Sequence, residues 1–506
     1  MSVSSRSTGS GASVPASLRS LPGCGSTHRS RSCPMSIARS EWAGDVLVVG
    51  AGPAGLAVAA ELAGQGLSVL LADENQRPGG QIGRQRFLRS SQAGPDAAGH
   101  HDPMLHPGIT YRPGTVCHGF RDGQQAFLTT PAGPMITRTR AVVLATGAAE
   151  RVIPVPGWTL PGVMTVGAAQ AFLKGSGLFP YRRVVVAGTG PLLLAAASQL
   201  VSAGVQVVRV VEAACPGLSR WRDAARLVAG APLLAQGAGH LLSLARAGVF
   251  PRTGVGVQEI VGEDQVRGAR LRRLRRDWSF ADAPPELVEC DAVLLSHGFS
   301  SVTDLASQLG ADIEWDQQRQ SWRPVRDQGL RTTAANVWAV GDCAGVGGAQ
   351  LAELEGRLAG LLIAADLTGR PVRERRVRVL RRRIARLEVF RRGMDMLFAP
   401  GTGISGWHDG STQVCRCQES TRADIDRALD DGVEDLHGLK LWTRAGMGPC
   451  QGRVCGPVLT AILASRGCDV SQLAPPRARF PVRPLSVAAV CDAAESCPPS
   501  TRKGMP

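Results

Sequence analysis

The sequence predicts an α/β protein with two Rossmann-like dinucleotide-binding domains, the first discontinuous and the second inserted into it, and a small helical cysteine module at the C-terminal end. Three observations carry this expectation. The order strand, glycine turn, helix, strand occurs from Asp45 to Ala72 and again from Arg183 to Val211. The two turns begin at Gly50 and Gly188, too far apart to serve one βαβ unit. Four cysteines stand in two close pairs near residues 415 and 455. A chain of 506 residues also exceeds one core and suggests roughly three domains of about 150 residues each.

Composition excludes several classes. Hydrophobic residues at 44% and charged residues at 20% describe a globular chain, neither disordered nor fibrous. Lys174, Lys440 and Lys503 are the only lysines, so the net charge of +15 reflects an arginine bias more than a polyanion-binding surface. Aromatic residues are only 4%, which leaves little to stack on bases, and no nucleic-acid partner is expected. Thirteen cysteines are an odd number in a long chain, which favours a reducing, cytoplasmic compartment over a disulfide scaffold.

Along the chain, residues 1–43 are rich in Ser, Gly and Arg, with Glu41 the first acid. A disordered tail, or translation from Met35, is expected there. Asp45 to Gly50 is a buried strand, Leu56 to Gly64 a helix, and Leu67 to Ala72 a second strand. A Gly/Pro/His-rich loop near 91–110 and a strand from Ala141 to Ala145 follow. The charge-free stretch from Val184 to Val208 contains Gly188, Gly190 and Pro191, so it is expected as strand, turn and helix; no transmembrane segment is expected. From Arg373 to Arg392 ten arginines flank Val377, Leu380, Ile384, Leu387 and later Met394 at helical spacing, an amphipathic helix with a basic, solvated face.

The first turn, Gly50-Ala-Gly52-Pro53-Ala54-Gly55, is a complete GxGxxG. Gly50 permits the turn, Gly52 lets the backbone approach a pyrophosphate, and Gly55 lets the helix pack on the strand. Asp73 or Glu74, at the end of the second strand, takes the ribose hydroxyls. Counting along the strand favours Asp73, and spacing to the next glycine pair favours Glu74. The second turn, Gly188-Thr-Gly190-Pro-Leu-Leu193, lacks the third glycine, and Leu193 is expected to push helix and strand apart. Glu212 stands where a ribose-binding acid belongs and favours NAD over NADP. NAD binding and a repurposed pocket both stay open.

Cys415-Arg-Cys417 and Cys450-Gln-Gly-Arg-Val-Cys455 supply four thiolates for a metal centre. Zinc sites usually separate paired cysteines by two or more residues, so C-x-C argues against a zinc ribbon. Gly446, Gly448 and Gly452 leave backbone N–H groups able to approach the sulfurs. No cysteine pair follows Gly79-Gly80 or lies within 151–185, which excludes a redox disulfide beside either turn. No catalytic residue emerges. His297 is expected to be a packing residue.

Together with Pro78-Gly79-Gly80-Gln81 and Ala145-Thr146-Gly147, the turn Gly341-Asp342 resembles the two-dinucleotide-domain flavoproteins. That resemblance implies FAD on the first turn, contacts from Gly80, Gln81, Thr146 and Gly147, and the Asp342 carboxylate against the ribityl chain and pyrophosphate. The cysteine segment, with its Gly-Met-Gly-Pro-Cys approach, resembles the bacterioferritin-associated-ferredoxin-like (BFD-like) [2Fe–2S] domain. This implies Cys415, Cys417, Cys450 and Cys455 as ligands, with zinc and unliganded thiols as alternatives. The implied layout is a tail at 1–43, an FAD-binding domain at 44–155 and 290–370, an NAD(P)-type domain at 156–289, and a basic linker helix and loop at 371–410. The [2Fe–2S] module follows at 411–470, with an extended tail at 471–506.

Arg151 to Val163 and Gly188 to Leu194 resemble the large flavoprotein subunit of opine oxidases. The second subunit of hydrogen cyanide synthase and the α subunits of proline and hydroxyproline dehydrogenases are similar, over about residues 44–490. Ser301 departs from the family's frequent proline. The resemblance implies a subunit that carries electrons from an amine, imino acid or opine oxidised on a partner resembling D-amino-acid oxidases. It also implies a small ferredoxin-like partner, another adenine nucleotide in place of NAD in the second domain, and FMN at a subunit interface. A stand-alone NAD(P)H-dependent reductase and a cofactor-bearing scaffold are the rival readings.

Overall fold

Val46 to Val49 is wholly apolar and every side chain in it is buried, as a strand packed on both faces requires. These residues end β1 (Trp42–Val49) in a computed structural model that describes residues 42–83, 106–121, 125–215 and 226–487. Nearly all of the expected tail, most of the 91–110 loop, and Cys24, Cys33, Cys491 and Cys497 lie outside the described residues. β1 already begins at Trp42, inside the expected tail, because the Trp42 carbonyl accepts from the Thr137 hydroxyl at 2.7 Å.

After β1 come α1 (Pro53–Ala63), β2 (Val69–Ala72) and β3 (Ile109–Arg112), then β4 (Val116–Arg121), β5 (Gln125–Thr130) and β6 (Gly133–Leu144). β1 lies parallel to β2 and β6, whereas β4, β5 and β6 form an antiparallel meander on the same sheet, in the order β3-β2-β1-β6-β5-β4. The chain then passes through the short β7 (Ala148–Glu150) into a second sheet.

The second sheet holds β8 (Val163–Thr165), α2 (Val166–Ser176), β9 (Arg183–Thr189), α3 (Pro191–Ser202) and β10 (Gln206–Glu212). The helix α4 (Ala231–Arg246) leads to β11 (Arg252–Thr253). An antiparallel meander of β12 (Val255–Gly262), β13 (Val266–Arg273) and β14 (Glu286–Glu289) precedes β15 (Ala292–His297). β15 runs parallel between β9 and β8, so the second sheet extends to residue 297, past the boundary expected at 289. β16 (Phe299–Ser301) then pairs antiparallel with β7, and this two-stranded ribbon joins the sheets.

The return passes through α5 (Asp304–Gln308) and the hairpin of β17 (Ile313–Asp316) and β18 (Ser321–Pro324). β19 (Val337–Ala339) adds to the first sheet beside β6, and α6 (Ala349–Thr368) joins α1 in the first core. α7 (Glu374–Phe398) buries Val377, Leu380 and Ile384 in that core and exposes Arg375, Arg378, Arg381, Arg382 and Arg383, as the helical spacing predicts. The charge-free stretch is β9, α3 and part of β10. Among the described residues, one helix over 228–246 is long and apolar enough to cross a membrane; its His240 Nδ1 lies 3.2 Å from Ser198 Oγ on α3.

The cysteine module consists of β20 (Gln413–Cys415), β21 (Ser420–Thr421), α8 (Arg422–Asp430), α9 (Leu436–Thr443) and α10 (Gly456–Ser465). Thr421 caps α8 in a reciprocal box with Asp424. Residues 473–486 form no helix or strand. They do not simply run over the surface: Val482 is buried in the cluster with Leu47, Leu128 and Leu305 on the other face of the first sheet, and its N–H donates to the His118 carbonyl at 2.8 Å. Trp407 joins the linker to the second domain by stacking on Trp278 and Phe280, with its indole N–H on the Trp278 carbonyl at 2.7 Å. Trp407→Ala is expected to lower stability by about 3–5 kcal/mol in denaturant titration.

Candidate cofactor sites

α1 begins at Gly52 with no side chain capping it, so its free N–H groups and positive dipole end face open space. A Cβ on Gly55 would fall 1.8 Å from the Gly50 carbonyl oxygen, whereas a Cβ on Gly52 would meet nothing within 4 Å. The fold itself therefore demands glycine at position 55, while Gly52 leaves a space that an approaching phosphate fits. Asp73 is buried, and one carboxylate oxygen accepts the Ala51 N–H while the other accepts two donors from Asn75 at 2.7 and 2.8 Å. Glu74 is exposed, 3.5 Å from Arg483. Asp73 thus holds the turn, and Glu74 is the acid left to face outward.

The neighbouring segments converge on this turn. The Gly79 N–H donates to the Ala51 carbonyl at 2.7 Å, and the Lys174 ammonium on α2 donates to the Gln81 carbonyl at 3.3 Å. The Thr146 hydroxyl donates to the Val302 carbonyl at 3.2 Å, and the Gly147 carbonyl accepts the Val302 N–H. Asp342 accepts the N–H groups of Gly347 and Gly348 at 2.9 Å each through one oxygen. Ser301 donates its hydroxyl to the Asp342 carbonyl at 2.7 Å, a bond that proline could not make.

Two residues that sequence reasoning misses hold the Gly341 turn. Glu355, on α6 and 2% exposed, accepts the Gly341 N–H at 2.8 Å. Arg326 grips the same carboxylate with two bonds of 2.7 and 2.9 Å and donates to the Ala339 carbonyl. The available signal is Glu355 itself, an acid on a helix face otherwise made of Leu, Ile, Ala and Gly. Cys343, within the turn, is buried and its thiol is pushed up to about 11 by burial, so it is inert.

The second turn is built on the same plan with a different outcome. Glu212 accepts the N–H groups of Gly190 and Ala214 at 2.8 and 2.9 Å, and burial pushes its carboxyl up to about 7. Its oxygens serve the turn, as those of Asp73 do, rather than facing a ribose. Leu193 does not wedge the helix from the strand: it lies 1% exposed in the core shared by α3 and β9. Gly190 lines a cavity of about 110 Å³, roofed by Arg391, Met394 and Asp395 of α7. Asp395 there pairs with Arg319 at 3.1 Å and Arg391 at 2.7 Å. Arg151, in the cavity wall, is pushed down to about 10 by burial. His297, pushed down to about 3 by burial, accepts the Ile153 N–H and packs edge-on to Trp407, as a packing residue would.

The four cysteines come together in two pairs. The Cys455 thiol donates to Cys415, and with N–H groups of Gly446, Gln418 and Cys417 this pulls Cys415 down to about 5. Cys455 itself is pushed up by the same bond. Cys417 pairs with Cys450, and burial pushes its thiol up. A Cβ on Gly448 would fall 2.2 Å from Cys417 Cβ, so the glycine is needed for this approach. Cys455 is the N-cap of α10, but Cys450 stands five residues earlier in the preceding turn, not at the helix start. Among the described residues no three His, Cys, Asp or Glu groups converge as a mononuclear site. Two thiol pairs fit a two-iron centre, in which each iron takes two thiolates.

Comparisons with known proteins agree with this geometry. The family model described as pyridine nucleotide-disulphide oxidoreductase matches residues 44–356, and that of the BFD-like [2Fe-2S] binding domain matches residues 413–465. A subunit of the opine oxidase of Agrobacterium tumefaciens (strain Ach5) is 35% identical over 476 residues, covering 88% of this chain and 90% of that one. Hydrogen cyanide synthase subunit HcnB of Pseudomonas protegens is 33% identical over 475 residues, covering 88% and 96%. In fold, the L-proline dehydrogenase from P. horikoshii superposes with a TM-score of 0.63 at 18% identity, covering 89% of this chain and 80% of that one. The family matches imply FAD, a pyridine nucleotide and a [2Fe–2S] cluster as cofactors. The open Gly52 cradle and the paired thiols fit the first and the last.

Gly52→Val should fold normally yet purify without flavin, while Gly55→Val should lose stability because its side chain strikes Gly50; absorbance and thermal melting separate the two. For Glu212, the unfolded chain releases the proton near 4.5 and the folded chain keeps it to about 7. Stability therefore falls as pH rises through that window, by roughly 3 kcal/mol at most. Glu212→Gln should flatten this part of the melting profile.

Proposed function

The chain belongs to the pyridine nucleotide-disulphide oxidoreductase family, and on that premise we propose that it is the flavin and iron–sulfur electron-carrying subunit of a multisubunit enzyme oxidising an amine, imino acid or opine. Its relatives are named as parts of larger enzymes, so a hetero-oligomer is the expected assembly. The single observation that carries the reading is the cysteine module packed against both nucleotide domains. Trp158 of the second domain donates to the Gln413 carbonyl at 2.7 Å, and Arg453 pairs with Asp304 beside the first.

FAD takes up electrons in pairs and a [2Fe–2S] cluster passes them singly, so a chain holding both converts one mode to the other. The residues of this chain supply binding and charge. In the proposed sites, the α1 N terminus and Gly52 receive the pyrophosphate, Glu74 the ribose, and the second Asp342 oxygen the ribityl chain. Gly80, Gln81, Thr146 and Gly147 line the flavin, and Cys415, Cys417, Cys450 and Cys455 ligate iron. The FAD-binding domain would comprise 44–155 with 299–370, and the inserted domain 156–298. Substrate would be oxidised on a partner resembling D-amino-acid oxidases, with FMN at the interface. A small ferredoxin-like partner and a cytoplasmic location are further parts of the proposal.

The retained second turn, with open space in front of Gly190, favours the rival reading, a stand-alone NAD(P)H-dependent reductase. Against it stands the cavity under α7, well below the roughly 300 Å³ at the lower end of ligand clefts. Anaerobic stopped-flow mixing with NADH should leave the flavin oxidised for many turnovers of the natural complex. Rapid bleaching would establish the reductase instead. Iron and acid-labile sulfide should each be found at about two per chain. Cys417→Ser should abolish the paramagnetic signal of the reduced protein and leave FAD bound.

A further inference from the structure

Arg453 lies between two of the four cysteines, Cys450 and Cys455, and its guanidinium ties together three segments distant in sequence. Its Nε donates to Asp304 Oδ2 at 2.7 Å, and a terminal nitrogen lies 2.5 Å from the same oxygen. The remaining donors go to the Cys450 carbonyl at 3.2 Å and the Val482 carbonyl at 3.0 Å. Both charged side chains are largely buried, 13% and 18% exposed. Asp304 opens α5, whose Gln308 accepts the Phe120 N–H at 2.9 Å, so α5 is bonded to the first sheet. Two residues before Asp304, Val302 exchanges bonds with Thr146 and Gly147 in both directions. One ion pair and a two-residue step of backbone therefore join the cysteine turn to the flavin-side turn.

From this arrangement we infer that Arg453 and Asp304 are positioning residues that fix the cysteine module against the flavin-side turn and set the charge felt at its four sulfurs. The inference rests on the proposed function. A buried ion pair can serve as a mere staple, and removing one partner then costs stability because the other charge is left uncompensated. This pair differs in its location. Its guanidinium also bonds the carbonyl of Cys450, one of the four cysteines, so each partner acts electrostatically on a centre that becomes more negative when reduced, and the two act with opposite sign.

The test uses the full chain loaded with FAD and iron. Asp304→Asn leaves the guanidinium uncompensated and should raise the midpoint potential of the cluster. Arg453→Gln leaves the carboxylate and should lower it. Both should slow the internal one-electron exchange, which makes and breaks no bond, by at least about tenfold as the turn loses its fixed seat. Arg453→Lys, which keeps the charge without the fork, should leave the potential near wild type and still slow the exchange, and it serves if the neutral variants do not load. Unmoved potentials, or shifts of the same sign in both neutral variants, would overturn the inference. So would wild-type exchange in loaded Arg453→Lys. A wild-type protein without iron and sulfide refutes the proposed function; a loaded wild type with unmoved variants refutes this inference alone.

Discussion

Backbone N–H groups at a glycine turn have no partner within the turn, and in this protein carboxylates supply one. Asp73 accepts from Ala51, Glu212 from Gly190 and Ala214, Glu355 from Gly341, and Asp342 from Gly347 and Gly348. A hydrogen bond to a charged group contributes about 1.5–3 kcal/mol, enough to hold a loop open at a strand end. The rest of the architecture depends on these turns staying open. α1, α3 and α6 all start at such turns with uncapped N termini, and the sheets and cores are arranged so that those termini face outward from the strand ends.

The same interaction gives different results in different surroundings. Glu355 is held by the Arg326 fork, so its buried carboxylate has a cation bonded to both oxygens. Glu212 has no cation on its carboxylate, and burial drives it toward the neutral form. A Cβ would meet nothing within 4 Å at Gly52 or at Gly190, and the second turn also lines a cavity together with the end of α7. The duplicated fold has thus kept its frame twice.

Local chemistry explains what was legible in the sequence. Gly50 to Gly55 with the apolar runs on either side encode a strand, turn and helix from Trp42 to Ala63, and the paired cysteines declare their chemistry by spacing. Leu193 shows the limit: a side chain that sterics alone would place as a wedge is absorbed by a core formed from residues far along the chain. Glu355 with Arg326, and Asp304 with Arg453, are invisible for the same reason, since 29 and 149 residues separate the partners. Apart from the apolar end of β6, the β4–β6 and β12–β14 meanders escape because their strands mix polar and charged residues with apolar ones and lack a clean apolar period. Val482 escapes because one buried valine in a proline- and arginine-rich segment carries no pattern at all.

The most direct test of the account is a reductive titration of the purified, loaded chain, followed in parallel by flavin absorbance and by paramagnetic resonance. The account predicts uptake of about three electrons per chain, two bleaching the flavin and one producing the signal of a reduced [2Fe–2S] cluster. Uptake of about two electrons with no such signal, and zinc in place of iron, would contradict it.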